Sequence, residues 1–255
     1  MRGLMLAAAL MLVGCVTAPA AQGPGHLYWR DANPAVVKPR PWAILLPGGG
    51  GIDIFGDEGA YYFSVADKLN ARGFDVLVVH YQEDTRPAAE VGMANYGAEI
   101  ARSVIDAVSY QRGLNRMDMR CDGILMSWSL GGEGLLELAG RDRMALPGLR
   151  AAIAYYPSVQ GRPAGFDPKI EVDILQGDAD RLTTPEALRR FLGAATSQEA
   201  VTVHTIAGAQ HGFDITTLTE SQLEGRFAYD AASAARADAV VDEVLGEMGY
   251  GCALD

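Results

Sequence analysis

The chain has 255 residues, 49% of them apolar and 21% charged, the composition of a soluble globular unit long enough to bury a core without metals or multiple disulfides. Its formal net charge of −11, with no clustered basic stretch, excludes a nucleic-acid-binding role and reads as a solvated acidic surface. No internal repeat or low-complexity tract is visible, so one continuous domain is expected.

In chain order, residues 1–14 read as an export signal. Met1-Arg2 supplies a positive start, and Leu4 to Val13 is apolar but too short to span a bilayer. The stretch ends in Leu12-Val13-Gly14-Cys15, which resembles the lipobox of bacterial lipoproteins. That resemblance implies that Cys15 becomes the first residue of the mature chain and carries lipid. Val16, following the cysteine, resembles the sorting pattern of outer-membrane lipoproteins. The competing reading is ordinary secretory cleavage near Ala18-Pro19-Ala20. Either way the protein is expected in the periplasm, with membrane contact only through an anchor at Cys15. Residues 15–25, rich in Pro, Ala, Gly and Gln, then form a tether to a domain spanning 26–255. Export leaves Cys121 and Cys252 as an even pair in an oxidising compartment, where a disulfide and two free thiols are the alternatives.

His26 to Arg30 and Ala35 to Val37 suggest a short edge hairpin. Ala43 to Leu46 is an apolar run bounded by turn signals, hence a buried strand. Pro47-Gly48-Gly49-Gly50-Gly51 follows, then a helical pattern from Tyr61 to Leu69 that stops at Gly73. Phe74 to Val79 is the next strand. A loop from His80 to Asn95 leads to a long helix through Ile100, Val104, Ile105, Val108 and Leu114. Ile124 to Trp128 is a strand that stops at Ser129, and a helix follows to about Gly140. Strands are expected at Leu149 to Tyr155, Ile170 to Leu175 and Val201 to Ile206. Helices are expected at Pro185 to Leu192, capped by Thr183 or Thr184, and at Ala228 to Met248. Strands alternating with helices imply an α/β fold, a mostly parallel central sheet with helices on both faces. No inter-strand segment is long enough for a large cap domain.

Open parallel sheets place ligand sites at the C-terminal ends of their strands, and four motifs fall there. Ser127-Trp128-Ser129-Leu130-Gly131 has the form of a strand, a sharp turn and a helix with Ser129 at the apex. The usual pattern at such a turn is Gly-x-Ser-x-Gly, and Ser127 replaces the first glycine. The Gly48 to Gly51 run offers bare backbone N–H groups. It lacks the Lys-Ser/Thr of a phosphate loop and the spacing of a dinucleotide fingerprint. Gly177-Asp178-Ala179-Asp180 presents two carboxylates after a strand; Asp180 suits a partner for histidine, while Asp178 suits the turn itself. Finally, His211 lies in a glycine-flanked turn after the last strand, in His-Gly-Phe-Asp. Of the other histidines, His204 falls within a strand, His80 at a strand end and His26 near the tether.

The order Ser129, Asp180, His211 is the chain order of the α/β-hydrolases. From about Trp42 to Met248 the chain resembles that superfamily, and within it the dienelactone hydrolase-like group, which itself uses cysteine where this chain has Ser129. The resemblance implies an α/β-hydrolase fold without a large cap. It further implies a serine hydrolase acting on carboxylic esters or lactones through an acyl-enzyme. In that reading Ser129 is the nucleophile, His211 the base and Asp180 its orienting acid. The backbone N–H groups of Gly49 and Leu130 would form the oxyanion hole. No metal or organic cofactor is required, and the partner is a small ester. Trp128, Tyr81 and the Tyr155-Tyr156 pair suggest an acyl pocket, and Arg86, Arg162 and Arg181 suggest carboxylate recognition. The alternative is a lipid-anchored envelope protein that keeps the fold for binding alone.

Overall fold

A computed structural model of the chain describes residues 27–32, 39–53, 56, 58–141, 143–160, 162, 166–193, 200–218, 226–247 and 249–252. The proposed signal peptide, Cys15, the tether, His26 and Ala35 to Val37 lie outside these residues.

Seven strands form one sheet: β1 (Leu27–Arg30), β2 (Trp42–Leu46), β3 (Asp75–Val79), β4 (Gly123–Trp128), β5 (Leu149–Tyr155), β6 (Glu171–Gly177) and β7 (Val201–Ile206). Their spatial order is β1-β3-β2-β4-β5-β6-β7. All neighbours pair in parallel except β1, which runs antiparallel to β3. The first strand extends the sheet beside β3, which offers it a buried apolar partner, Leu27 facing Val79 and Trp29 facing Leu77.

The described residues hold helices α1 (Ala60–Ala71), α2 (Ala88–Val91), α3 (Met93–Gly113), α4 (Gly131–Ala139) and α5 (Pro185–Leu192) between strands, and α6 (Ala231–Glu247) after the last one. Strand alternation sorts the core into two layers. Ile44, Leu46, Leu77, Val79 and Leu125 face one side and pack with residues of α3, α4 and α5. Ala43, Leu45, Val76, Val78, Ile124 and Met126 face the other, against α1 and α6. Strands buried on both faces must be apolar throughout, and β2, β3 and β4 are fully buried along their length.

Thr184 caps α5 by accepting from the Ala187 amide at 3.2 Å, with Pro185 at the first helical position. The segment after β3 is more ordered than a loop. It holds a 3₁₀ turn, Tyr81–Glu83, and the short α2 before α3 begins at Met93. No large cap is present among the described residues. Opposite the strand C-termini, Cys121 and Cys252 are joined by a disulfide, and the Asp122 amide donates to Gly251 O at 2.8 Å. The end of the chain is thus fastened to the entrance of β4.

Candidate active site

At the end of β4 the backbone turns through Ser129, whose φ of +48° lies in the left-handed region that a non-glycine residue adopts at a cost of about 1–3 kcal/mol. The surroundings hold it there. Ser129 N donates to Tyr155 O at 3.0 Å, while Ser129 O accepts from Gly132 N at 2.9 Å and Ser158 N at 2.8 Å. The helix that follows lies so close to the sheet that a β-carbon at Gly131 would stand 2.5 Å from Leu46 O and 2.6 Å from Pro47 O. Glycine is therefore required two residues after the apex. Two residues before it, Ser127 is wholly buried, and its hydroxyl has no hydrogen-bond partner among the described residues.

The loops after β6 and β7 bring two further groups to Ser129. His211 Nε2 lies 2.9 Å from Ser129 Oγ, and His211 Nδ1 lies 2.8 Å from Asp180 Oδ2. With Nδ1–H donating to the carboxylate, Nε2 is left to accept the serine proton. The imidazole is 1% exposed, between the rings of Tyr156 (4.4 Å) and Phe227 (5.0 Å). Burial alone would push the Asp180 carboxyl up. Hydrogen bonds from His211, the Leu182 amide and Thr183 outweigh it and hold the group below the ordinary aspartate value. Asp180 is thus an anion aimed at a histidine. Asp178, by contrast, is exposed and accepts from the Gly208 amide at 2.7 Å, closing the neighbouring turn.

The glycine run lies beside the elbow. A β-carbon at Gly48 would stand 3.5 Å from Ser129 Cβ, and one at Gly49 would stand 3.5 Å from Leu130 Cδ2. Among the described residues neither Gly49 N nor Leu130 N has a hydrogen-bond acceptor, whereas Gly48 N donates to the Tyr62 hydroxyl at 2.8 Å.

The expected aromatic pocket is not formed by Trp128 and Tyr81. Both are buried, at 1% and 0% exposure, because each is tied down by a polar handle. Tyr81 donates its hydroxyl to Pro47 O at 3.1 Å, and Trp128 donates its indole N–H to Asp214 Oδ2 at 2.8 Å. Tyr155 and Tyr156 are buried too. The arginines are also engaged elsewhere. Arg86 pairs with Glu99, and Arg162 reaches Glu133 and Glu137; Arg181 alone is simply exposed. His204 pairs with Asp173 at 2.7 Å on the sheet, and His80 packs against Gly51.

Two buried carboxylates beside the site were not singled out by sequence. Asp214 accepts from Trp128, from the Tyr156 hydroxyl at 2.7 Å and from the Tyr61 hydroxyl. Burial raises its pKa against the pull of these donors, and the tyrosine hydroxyls are raised in turn by burial and by the carboxylate. Glu133, on the first turn of α4, is fully buried and accepts from Ser158 Oγ at 2.8 Å; burial pushes its carboxyl up to about 7. The available signal was an acid inside an apolar string, Gly-Phe-Asp in one case and Gly-Glu-Gly-Leu-Leu in the other.

No protein-family model matches the chain, and no curated protein matches it. Solved structures do. A dienelactone hydrolase-like promiscuous phosphotriesterase from metagenomic libraries superposes with a TM-score of 0.65 at 20% identity, covering 88% of this chain and 99% of that one. A putative dienelactone hydrolase from Klebsiella pneumoniae gives 0.61 at 16% identity, covering 84% and 90%. Esterase 2 of Thermogutta terrifontis, phosphoramylated by tabun, gives 0.59 at 21% identity, covering 90% and 91%. The chain therefore has an α/β fold shared with dienelactone hydrolase-like proteins and esterases, a mostly parallel sheet with helices on both faces.

Proposed function

We propose that the chain is a serine hydrolase that cleaves carboxylic esters or lactones, with Ser129, His211 and Asp180 as its catalytic triad. The observation that carries this reading is the continuous hydrogen-bonded chain from Ser129 Oγ through His211 to Asp180, built at a strained elbow. A serine hydroxyl is a weak nucleophile near neutral pH. His211 Nε2 takes its proton as Oγ adds to the ester carbonyl, giving a tetrahedral oxyanion. Asp180 fixes the tautomer and stabilises the imidazolium. The oxyanion is received by the N–H groups of Leu130 and Gly49. Collapse breaks the ester C–O bond, and His211 returns the proton to the departing alcohol. Water then attacks the acyl-enzyme, giving its proton to His211. A second oxyanion collapses to the free acid, and the proton passes back to Ser129. A lactone opens by the same steps and leaves as a hydroxy acid. A structural neighbour named an esterase and another named a phosphotriesterase lend support to this class of chemistry.

The same proposal includes export and anchoring at Cys15. The disulfide between Cys121 and Cys252 supports an oxidising compartment. A Cys15→Ala chain should leave the membrane fraction; if the wild-type chain is already free of it, the anchor is refuted. For the catalytic part, the mature chain should hydrolyse p-nitrophenyl acetate, and Ser129→Ala should reduce kcat by at least about 10³-fold. Turnover unaffected by Ser129→Ala would overturn the triad.

A further inference from the structure

We propose that Gln82 is the positioning residue of the oxyanion hole, locking the Gly48–Gly49 peptide so that Gly49 N–H faces the substrate carbonyl at Ser129. The inference rests on the hydrolase reading above and adds a role for a residue outside the triad.

A trans peptide is planar, and its C=O and N–H point to opposite sides. Whatever fixes the carbonyl of Gly48 therefore aims the N–H of Gly49. Gly48 O accepts from Gln82 Nε2 at 2.8 Å and from Gly51 N at 3.0 Å. The sheet order supplies the direction. The strand leading into the glycine run, β2, lies between β3 and β4. Gln82 follows β3 and draws the Gly48 carbonyl to that side, so Gly49 N–H points to the β4 side, where the elbow begins. There Ser129 and Leu130 are the residues against which Gly48 and Gly49 pack.

Three consecutive residues after β3 all serve this loop. A β-carbon at Gly51 would meet His80 Nε2 at 2.6 Å, Tyr81 donates to Pro47 O, and Gln82 donates to Gly48 O. The other end of the glutamine amide sharpens the argument. Gln82 Oε1 is buried without a hydrogen-bond partner among the described residues. Burying an unpaired carbonyl is unfavourable, and an apolar side chain of similar shape would pack there without that penalty. The residue is suited instead by its donor. Two donors on Gly48 O also polarise the peptide, which strengthens the N–H opposite them. An oxyanion donor must be aimed before the charge develops, and this arrangement aims it.

The test uses the mature chain with Gln82→Leu, which removes the donor and the orphan oxygen together, and with Gln82→Glu as a second near-isosteric change. Readouts are kcat and KM for p-nitrophenyl acetate, the inhibition constant of phenyl trifluoromethyl ketone, and the thermal midpoint. Ser129 Oγ adds to that ketone and His211 takes the proton, giving a stable oxyanion in the hole. Acylation and deacylation both pass through an oxyanion, so kcat should fall about tenfold with KM within about twofold, as for a weakened hole donor. Ketone affinity should fall by the same factor as kcat. The midpoint of Gln82→Leu should hold or rise. Unchanged kcat and ketone affinity in both variants, or losses that only track a lowered midpoint, would overturn the role of Gln82. If the wild-type chain shows no Ser129-dependent turnover, the hydrolase reading fails and this inference with it. If wild type turns over and the variants match it, this inference fails alone.

Discussion

Ser127 occupies a position where the elbow calls for a small residue; it is wholly buried, and its hydroxyl is unpaired among the described residues. The hydroxyl thus gives up hydration without a return. Ser127→Ala should raise urea stability by about 1 kcal/mol and leave ester turnover unchanged. A loss of stability would show that the hydroxyl has a partner. Glu133 presents the opposite problem, a buried carboxyl with partners. Its folded pKa of about 7 exceeds the ordinary 4.5, so between those values the folded chain keeps a proton that the unfolded chain releases. Stability from this group is therefore present at low pH and is lost as pH rises through 7. The full span is worth at most about 3 kcal/mol, at about 1.4 kcal/mol for each tenfold change in proton affinity. Glu133→Gln should match wild type near pH 4.5 and exceed it at pH 8 in urea titrations. An identical gap at both values would contradict the assignment. Ser129, Asp180 and His211 were legible because each sits in a short string with its own turn chemistry. Thr183 was read as a helix cap and instead serves Asp180, since its role depends on the approach of another loop.

Among the elements, α1, β4, the residue after β5 and the loop after β7 converge on one carboxylate. Tyr61, Trp128 and Tyr156 all donate to Asp214, three residues beyond His211. The strand that leads into Ser129 is thereby tied to the loop that carries His211. Asp214→Ala would remove the shared acceptor of three buried donors, leaving Trp128 only the Tyr61 hydroxyl at 3.0 Å, and a loss above about 3 kcal/mol in stability is expected. A change below about 1 kcal/mol would mean that the network is dispensable. Sequence periodicity located β5 at Leu149 to Tyr155 and β7 at Val201 to Ile206, because runs of apolar or alternating residues report burial directly. It did not show that β1 joins the sheet beside β3, and it missed the helical turns after β3. The first depends on a partner some fifty residues away, and the second on contacts with the glycine loop. Trp128 and Tyr81 were misread as pocket residues for the same reason, since an aromatic beside a nucleophile looks alike whether its polar end meets solvent or a buried acceptor.

At the scale of the whole molecule, the proposed active site and the disulfide lie at opposite ends of the sheet. The disulfide closes a span of 131 residues at the end away from Ser129. Its reduction should lower stability by about 2–4 kcal/mol while kcat, measured below the lowered melting temperature, stays within about twofold. Loss of turnover in a still-folded reduced chain would show that the two ends are coupled. The alternation of strand and helix patterns together with the turn motifs made the fold class readable, whereas the shape of the acyl site depends on loops that only tertiary structure arranges. The central claim is that Ser129 is an activated nucleophile. It is tested most directly by treating the mature chain with a fluorophosphonate and mapping the adduct by peptide mass analysis, with His211→Ala alongside. The account predicts a single adduct on Ser129 that His211→Ala abolishes. A folded chain that takes up no label, or labels equally without His211, would contradict it.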